Sequence, residues 1–212
     1  MKKTFSYLTL VFAILVSITA CNNKNDFDFE AAQKEQQKRD SLENIRVKGL
    51  IEKQAAELKA FATEKLPGAT LIDSLGIWFR VDANGQEDSY TYRPHPNGGI
   101  VAPEVKVSYK GTLLNGSVFD QTDEKETSRT FSLAGVIRAW QIAFFPKQIK
   151  YNGNVYSLLG LTETGLKKGS KIKFATSSPW AYDTRELKDK EGKVTIPANS
   201  PLYFEIEVID IK

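Results

Sequence analysis

Few side chains in this 212-residue sequence could serve as a nucleophile, a metal ligand or an acid–base pair. Cys21 is the only cysteine and His95 the only histidine. His95 stands between Pro94 and Pro96 with no second histidine or further cysteine to share a metal, so no metal site is expected and His95 is assigned no function. No Gly-x-Ser-x-Gly elbow, Cys–His pairing, His-Glu-x-x-His run or phosphate loop occurs, and acyl-transfer and metal chemistry find little support. What remains is a set of aromatics, Tyr109, Phe119, Phe131, Trp140, Tyr182 and Phe204, with one carboxylate, Asp120, directly after Phe119. By residue type alone, aromatics at such spacings are more often core than ligand contacts, and Asp120 reads equally well as a turn residue closing a strand.

The setting of Cys21 is more specific. Met1-Lys2-Lys3 is a positive start, and residues 7–18 form an apolar run too short for a comfortable membrane span. Ile18-Thr19-Ala20-Cys21 then resembles the lipobox of bacterial lipoproteins. That resemblance implies a signal peptide over residues 1–20 and a mature N-terminus at Cys21, with a diacylglycerol on its thiol and palmitate. The protein would then be lipid-anchored in the cell envelope, at the outer membrane of a Gram-negative bacterium, on its periplasmic or surface face. An ordinary secretory leader with a chance cysteine is the alternative. With its one cysteine committed to lipid, the mature chain has no disulfide and must hold together by packing. The formal charge of +3 falls to +1 once Lys2 and Lys3 leave with the leader. No Lys/Arg cluster with interleaved aromatics appears, so no nucleic-acid partner is expected.

The elements that must position these residues follow in order. Residues 21–30 are polar and read as a flexible tether. Residues 31–68 read as one helix or two, with an apolar stripe at Ile51, Ala55, Leu58 and Ala62, stopped by Pro67-Gly68. Such a helix could dock on its own domain as a stalk, or pair with a second copy in a homodimer; it lacks sustained heptads. After Ala69 the period becomes strand-like: residues 77–81, a turn at Asp82-Ala83-Asn84-Gly85, and a short strand over residues 89–93. Val105, Val107 and Tyr109 alternate with polar residues, as do Leu202, Phe204, Ile206 and Val208. One short helix over residues 136–144 among these strands makes an α+β domain.

At this point a resemblance is legible. Val105-Lys106-Val107-Ser108-Tyr109-Lys110-Gly111-Thr112-Leu113-Leu114-Asn115-Gly116-Ser117-Val118-Phe119-Asp120 is similar, nearly residue for residue, to the first signature of FKBP-type prolyl isomerases. Phe131-Ser132-Leu133-Ala134-Gly135-Val136-Ile137-Arg138-Ala139-Trp140 resembles the second. Gly165-Leu166-Lys167-Lys168-Gly169-Ser170-Lys171, Ala181-Tyr182 and the run from Ile196 to Val208 follow in the same order, so the likeness covers residues 74–212. It implies an antiparallel sheet of five to six strands wrapped around a short helix. It also implies a peptidyl-prolyl cis-trans isomerase acting on proline-containing polypeptides, here exported proteins, without a cofactor. Carried over from the motifs, Trp140 is the pocket floor, and Tyr109, Phe119, Phe131, Val136, Ile196 and Phe204 are substrate-binding walls. The Ile137 N–H and the Tyr182 hydroxyl would hold substrate carbonyls, and Asp120 would face the twisting amide, held by Tyr109 or Arg129.

The sequence also departs from the family. Ala134 and Ala139 replace glycines, and the second methyl is placed to tilt the short helix or narrow the cavity. Asp183 stands where glycine usually follows the tyrosine, and the loop from Tyr182 to Ile196 is long and charged. An insertion at about residues 141–159 is expected to form a hairpin that serves as a flap or lid. These departures keep open the alternative of a non-catalytic peptide-binding or chaperone lipoprotein.

Overall fold

The computed structural model describes residues 29–96 and 99–212. The leader, Cys21 and the tether as far as residue 28 lie outside the described residues. In chain order the elements are α1 (Phe29–Lys65), β1 (Thr70–Ile72), β2 (Ile77–Ala83), β3 (Glu104–Leu113), β4 (Val118–Gln121), β5 (Arg129–Ser132), α2 (Arg138–Phe144), β6 (Gln148–Tyr151), β7 (Asn154–Ser157), β8 (Lys171–Thr176), β9 (Leu187–Lys188), β10 (Val194–Ile196) and β11 (Leu202–Ile211). The helix takes in Phe29 and Glu30, the last two residues assigned to the tether.

The chain divides into two units after Asp40. In the first, the described residues 29–40 form the largely exposed start of α1, tied along its own surface by Arg39–Glu35 and Gln36–Asp40 pairs. Each such pair adds a few tenths of a kcal/mol at most, about 0.2–0.5.

The second unit is built on one antiparallel sheet in the order β1-β2-β8-β11-β3-β4, with β5 also paired to β3. Its strands number seven because the three-residue β1 adds an outer rung beside β2. The stretch expected as a strand over residues 89–93 instead begins in a 3-10 turn at Glu87–Ser89 and, among the described residues, leads to an isolated bridge between Pro94 and Ile100. Side chains draw it inward: Tyr92 is buried and its hydroxyl donates to the Leu166 carbonyl at 2.8 Å.

Alternation along the strands divides the apolar residues between two faces. Val105, Val107 and Tyr109 of β3 and Leu202, Phe204, Ile206 and Val208 of β11 join Phe174, Ile77 and Leu133 around α2. Tyr203, Ala175 and Trp78 belong to the opposite face, where they meet Leu58 and Ala62 from the end of α1 and Leu66 just past it. The buried stripe of α1 is Ile51, Gln54, Leu58 and Ala62, so polar Gln54 takes the place expected of Ala55, which is exposed. Past Lys65 the chain turns through Pro67 and Gly68, whose φ of 78° is left-handed.

Within residues 141–159, β6 and β7 form a hairpin turned by Asn152 and Gly153, both at positive φ. It springs from the C-terminal end of α2 and is tied back by the Pro146–Thr162 bridge and by Leu158 N–H donating to the Lys147 carbonyl.

Leu58 is fully buried between α1 and the sheet. Leu58→Ala is expected to lower stability by about 2–5 kcal/mol, read as a lower urea midpoint in circular dichroism. An unchanged midpoint would show that α1 does not dock on the sheet in solution.

Candidate functional site

Tyr109 of β3, Phe131 of β5, Phe204 of β11 and Trp140 of α2 converge at one end of the core. Trp140 is 4% exposed. The rings of Tyr109, Phe131 and Phe204 meet it nearly perpendicular, with centroids at 5.3, 5.5 and 5.9 Å, and Phe144 stacks on it at 6.2 Å. Edge-to-face pairs place electropositive ring edges against an electronegative face, so each favours this arrangement beyond its buried area.

Phe119 and Asp120 are neighbours in β4, and in a regular strand they would point to opposite faces. Here Gly111 pairs with Asp120 and Thr112 with Val118, leaving Phe119 as the extra residue of a β-bulge. The bulge lets both side chains line one cavity. Gly111 makes room for it: a Cβ there would lie 2.5 Å from Phe119 Cζ.

These residues, with Val136, Ile137 and Tyr182, enclose a cavity of about 210 Å³. Drug-sized ligand sites run to roughly 300–1,000 Å³, so this one suits a single side-chain ring. Ile196 is not part of the wall; it is buried at 1% exposure among the core residues. Arg185 does line the cavity, its guanidinium 5.2 Å above the Tyr182 ring. Its sequence setting, a run of charges, carries no mark that this cation rather than its neighbours turns toward the rings. A larger groove of about 700 Å³ runs along α1 past Ile51, Leu58, Trp78 and Trp180, and none of the expected site residues reaches it.

Asp120 is held by both of the partners between which the sequence left a choice. The Tyr109 hydroxyl donates to Oδ2 at 2.5 Å, and Arg129 Nη1 donates to Oδ1 at 2.8 Å and to the Tyr109 hydroxyl at 2.8 Å. Arg129 Nε is taken by Glu126 at 2.6 Å. The Asp120 side chain is 48% exposed, so the ion pair itself adds little stability; what it fixes is direction. Burial, and then the bond to Asp120, push the Tyr109 phenol above its ordinary pKa. Burial likewise raises Tyr182, against the opposing Arg185 charge. Among the described residues the Tyr182 hydroxyl and the Ile137 N–H donate to nothing in the chain, leaving two donors for a bound carbonyl.

Of the departures, the charged loop after Tyr182 reaches the cavity through Arg185, whereas the others lie off it. Ala134 is exposed, and Ala139 is buried in the core without reaching the cavity wall. No residue of 141–159 lines the cavity: the hairpin leaves from the far end of α2, whereas the cavity lies at the near end around Val136, Ile137 and Trp140. Asp183 adopts φ 53°, the left-handed region that favours glycine, and lies off the wall.

Residues 101–209 match the family model for FKBP-type peptidyl-prolyl cis-trans isomerases. The chain is 34% identical over 109 residues to FKBP-type peptidyl-prolyl cis-trans isomerase FkpA of Buchnera aphidicola subsp. Schizaphis graminum, an alignment covering 51% of this chain and 33% of that protein. It is 29% identical over 170 residues to the protein of the same name from Escherichia coli (strain K12), covering 76% and 49%. The crystal structure of FkpA from Escherichia coli superposes with a TM-score of 0.47 at 25% identity, covering 88% of this chain and 74% of that one. The chain thus spans from a third to about a half of the length of these two curated relatives.

Because folding raises the Tyr109 pKa, the unfolded chain loses this proton first. The stabilisation is complete below the ordinary tyrosine value of about 10 and is lost as pH rises above it. Tyr109→Phe should flatten the fall of the unfolding midpoint above about pH 10 relative to wild type. Equal slopes would mean that burial and Asp120 do not hold this phenol.

Proposed function

We propose, for a chain that belongs to the FKBP-type peptidyl-prolyl cis-trans isomerase family, that it catalyses cis–trans isomerisation of Xaa–Pro bonds in exported polypeptides in the cell envelope. The observation that carries this reading is the cavity floored by Trp140, with Asp120 fixed at its mouth and two unspent donors beside it.

The barrier to rotating a peptide bond, about 18–20 kcal/mol, is the resonance lost at the twisted geometry. Uncatalysed prolyl isomerisation accordingly takes tens to hundreds of seconds, roughly. A planar amide is the more polar form, so moving it from water to an aromatic cavity costs the ground state more than the twisted state. The proline ring would lie on Trp140, between Tyr109, Phe119, Phe131, Val136 and Phe204. The Ile137 N–H and the Tyr182 hydroxyl would fix carbonyls on the substrate backbone, so that only the prolyl bond turns. Asp120, its oxygens oriented by Tyr109 and Arg129, would face that bond as its charge redistributes. No step forms a covalent bond or calls for a cofactor. The non-catalytic alternative drew on the insertion and on Asp183, and both lie off the cavity.

The leader and Cys21 support lipid anchoring at the envelope membrane. The apolar stripe of α1 packs on its own sheet, which favours a docked stalk over helix pairing in a homodimer.

A protease-free isomerisation assay on residues 22–212 tests the activity. Wild type should accelerate an Xaa–Pro peptide, and folded Trp140→Ala and Asp120→Ala should each lose at least about tenfold in kcat/KM, or about 1.4 kcal/mol. A folded wild type that accelerates no Xaa–Pro peptide would remove the reading. Cys21→Ser in the full-length protein should abolish palmitate labelling and move the protein from membrane to soluble fraction; retained labelling would refute the anchor.

A further inference from the structure

The middle of α1 grips the segment that presents Tyr182. Arg46 donates Nη1 and Nη2 to the two carboxylate oxygens of Asp183 at 2.9 and 2.6 Å, a bidentate pair, while Nε and Nη2 are steadied by Glu43 at 2.8 and 2.6 Å. Two turns along the same helix, Gln54 is 6% exposed and spends both ends of its amide. Its Oε1 accepts from the Ser178 N–H at 2.9 Å, and its Nε2 donates to Ser178 Oγ and to the Asn199 carbonyl, each at 2.9 Å. The Asn199 N–H then donates to the Asp183 carbonyl at 2.6 Å, and the Asp183 N–H donates to the Ser178 carbonyl at 2.9 Å.

Both ends of residues 178–183 are therefore held from α1, and Tyr182 lies between the grips, adjacent to Asp183. Its hydroxyl donates to no group among the described residues, and the Arg185 guanidinium packs over its ring at 5.2 Å. The backbone beside it is strained: Asp183 at φ 53° and Asn199 at φ 58° sit where glycine would be at ease. Such residues persist where surrounding contacts over-determine them, and a fork of two charge-assisted bonds is a strong and directional constraint. Ser178 is fully buried, so losing Gln54 would leave its N–H unpaired away from water. The Asp183 side chain thus serves as an attachment point for the helix.

We infer that Arg46 and Gln54 are positioning residues for the site: through Asp183, Ser178 and Asn199 they hold the Tyr182 hydroxyl at the mouth of the cavity. This rests on the isomerase reading above for its catalytic consequence, but not for the restraint itself.

The test has two arms on one set of proteins. In the first, amide hydrogen exchange over residues 178–183 should quicken at least about tenfold in Arg46→Ala, and also in Gln54→Ala if that variant folds, while α2 stays protected. Unchanged exchange in Arg46→Ala overturns the inference whatever the kinetics. In the second, Arg46→Ala should lower kcat/KM for an Xaa–Pro peptide about three- to tenfold in the wild-type background and by less than about twofold on Tyr182→Phe, the signature of action through that hydroxyl. Equal losses in both backgrounds also overturn it, because Arg46 would then act on the fold at large. A wild type without isomerase activity removes the proposed function instead, and leaves the exchange arm to decide the restraint.

Discussion

The packing of Trp140 is the constraint on which the remaining geometry depends. Its ring is met edge-on from three strands and stacked by a residue of its own helix. The strands can deliver those edges only because β3 lies between β11 on one side and β4 and β5 on the other, and because strand alternation puts Tyr109 and Phe204 on the same face. The cavity is the space this arrangement leaves on the outer side of the indole. An apolar floor of this kind cannot be assembled by a loop. It needs rigid elements that exclude water from several directions at once, which is why the chemistry of the site belongs to the core as much as to the surface.

Polar groups around that floor do a different job. The Asp120–Tyr109–Arg129 set lies at the water's edge, where ion pairs contribute little to stability. Its three mutual hydrogen bonds leave Asp120 no freedom to swing away from the cavity. The β-bulge at Phe119 is the backbone counterpart of the same requirement, since it alone lets an apolar and an acidic neighbour face one space. Gly111 accommodates that bulge by having no side chain to collide with the Phe119 ring.

The second face of the sheet needs a cover as much as the first does. Trp78, Ala175 and Tyr203 would otherwise be exposed, and the C-terminal part of α1 supplies the cover with Leu58 and Ala62, extended by Leu66 just beyond it. Once the helix lies there for apolar reasons, its polar residues one and three turns earlier come within reach of the loop beside the cavity. Gln54 is buried with every partner satisfied, a placement far more directional than that of an alanine in the same groove.

Much of this could be read from residue order alone: the helix before residue 68, the alternation of β3 and β11, the short helix bearing Trp140, and the aromatic and acidic residues that gather round it. These are local or periodic signals, and period identifies which residues share a face. It does not say what that face meets. So Gln54 is buried where Ala55 was expected, Ile196 turns into the core, Arg185 joins the cavity, and the hairpin after Trp140 stands clear of it. Asp183, a departure from the family pattern in one dimension, acquires a partner, Arg46, from a distant part of the chain. Each of these outcomes depends on which surfaces pack together across long stretches of sequence, and a one-dimensional pattern carries no term for that distance.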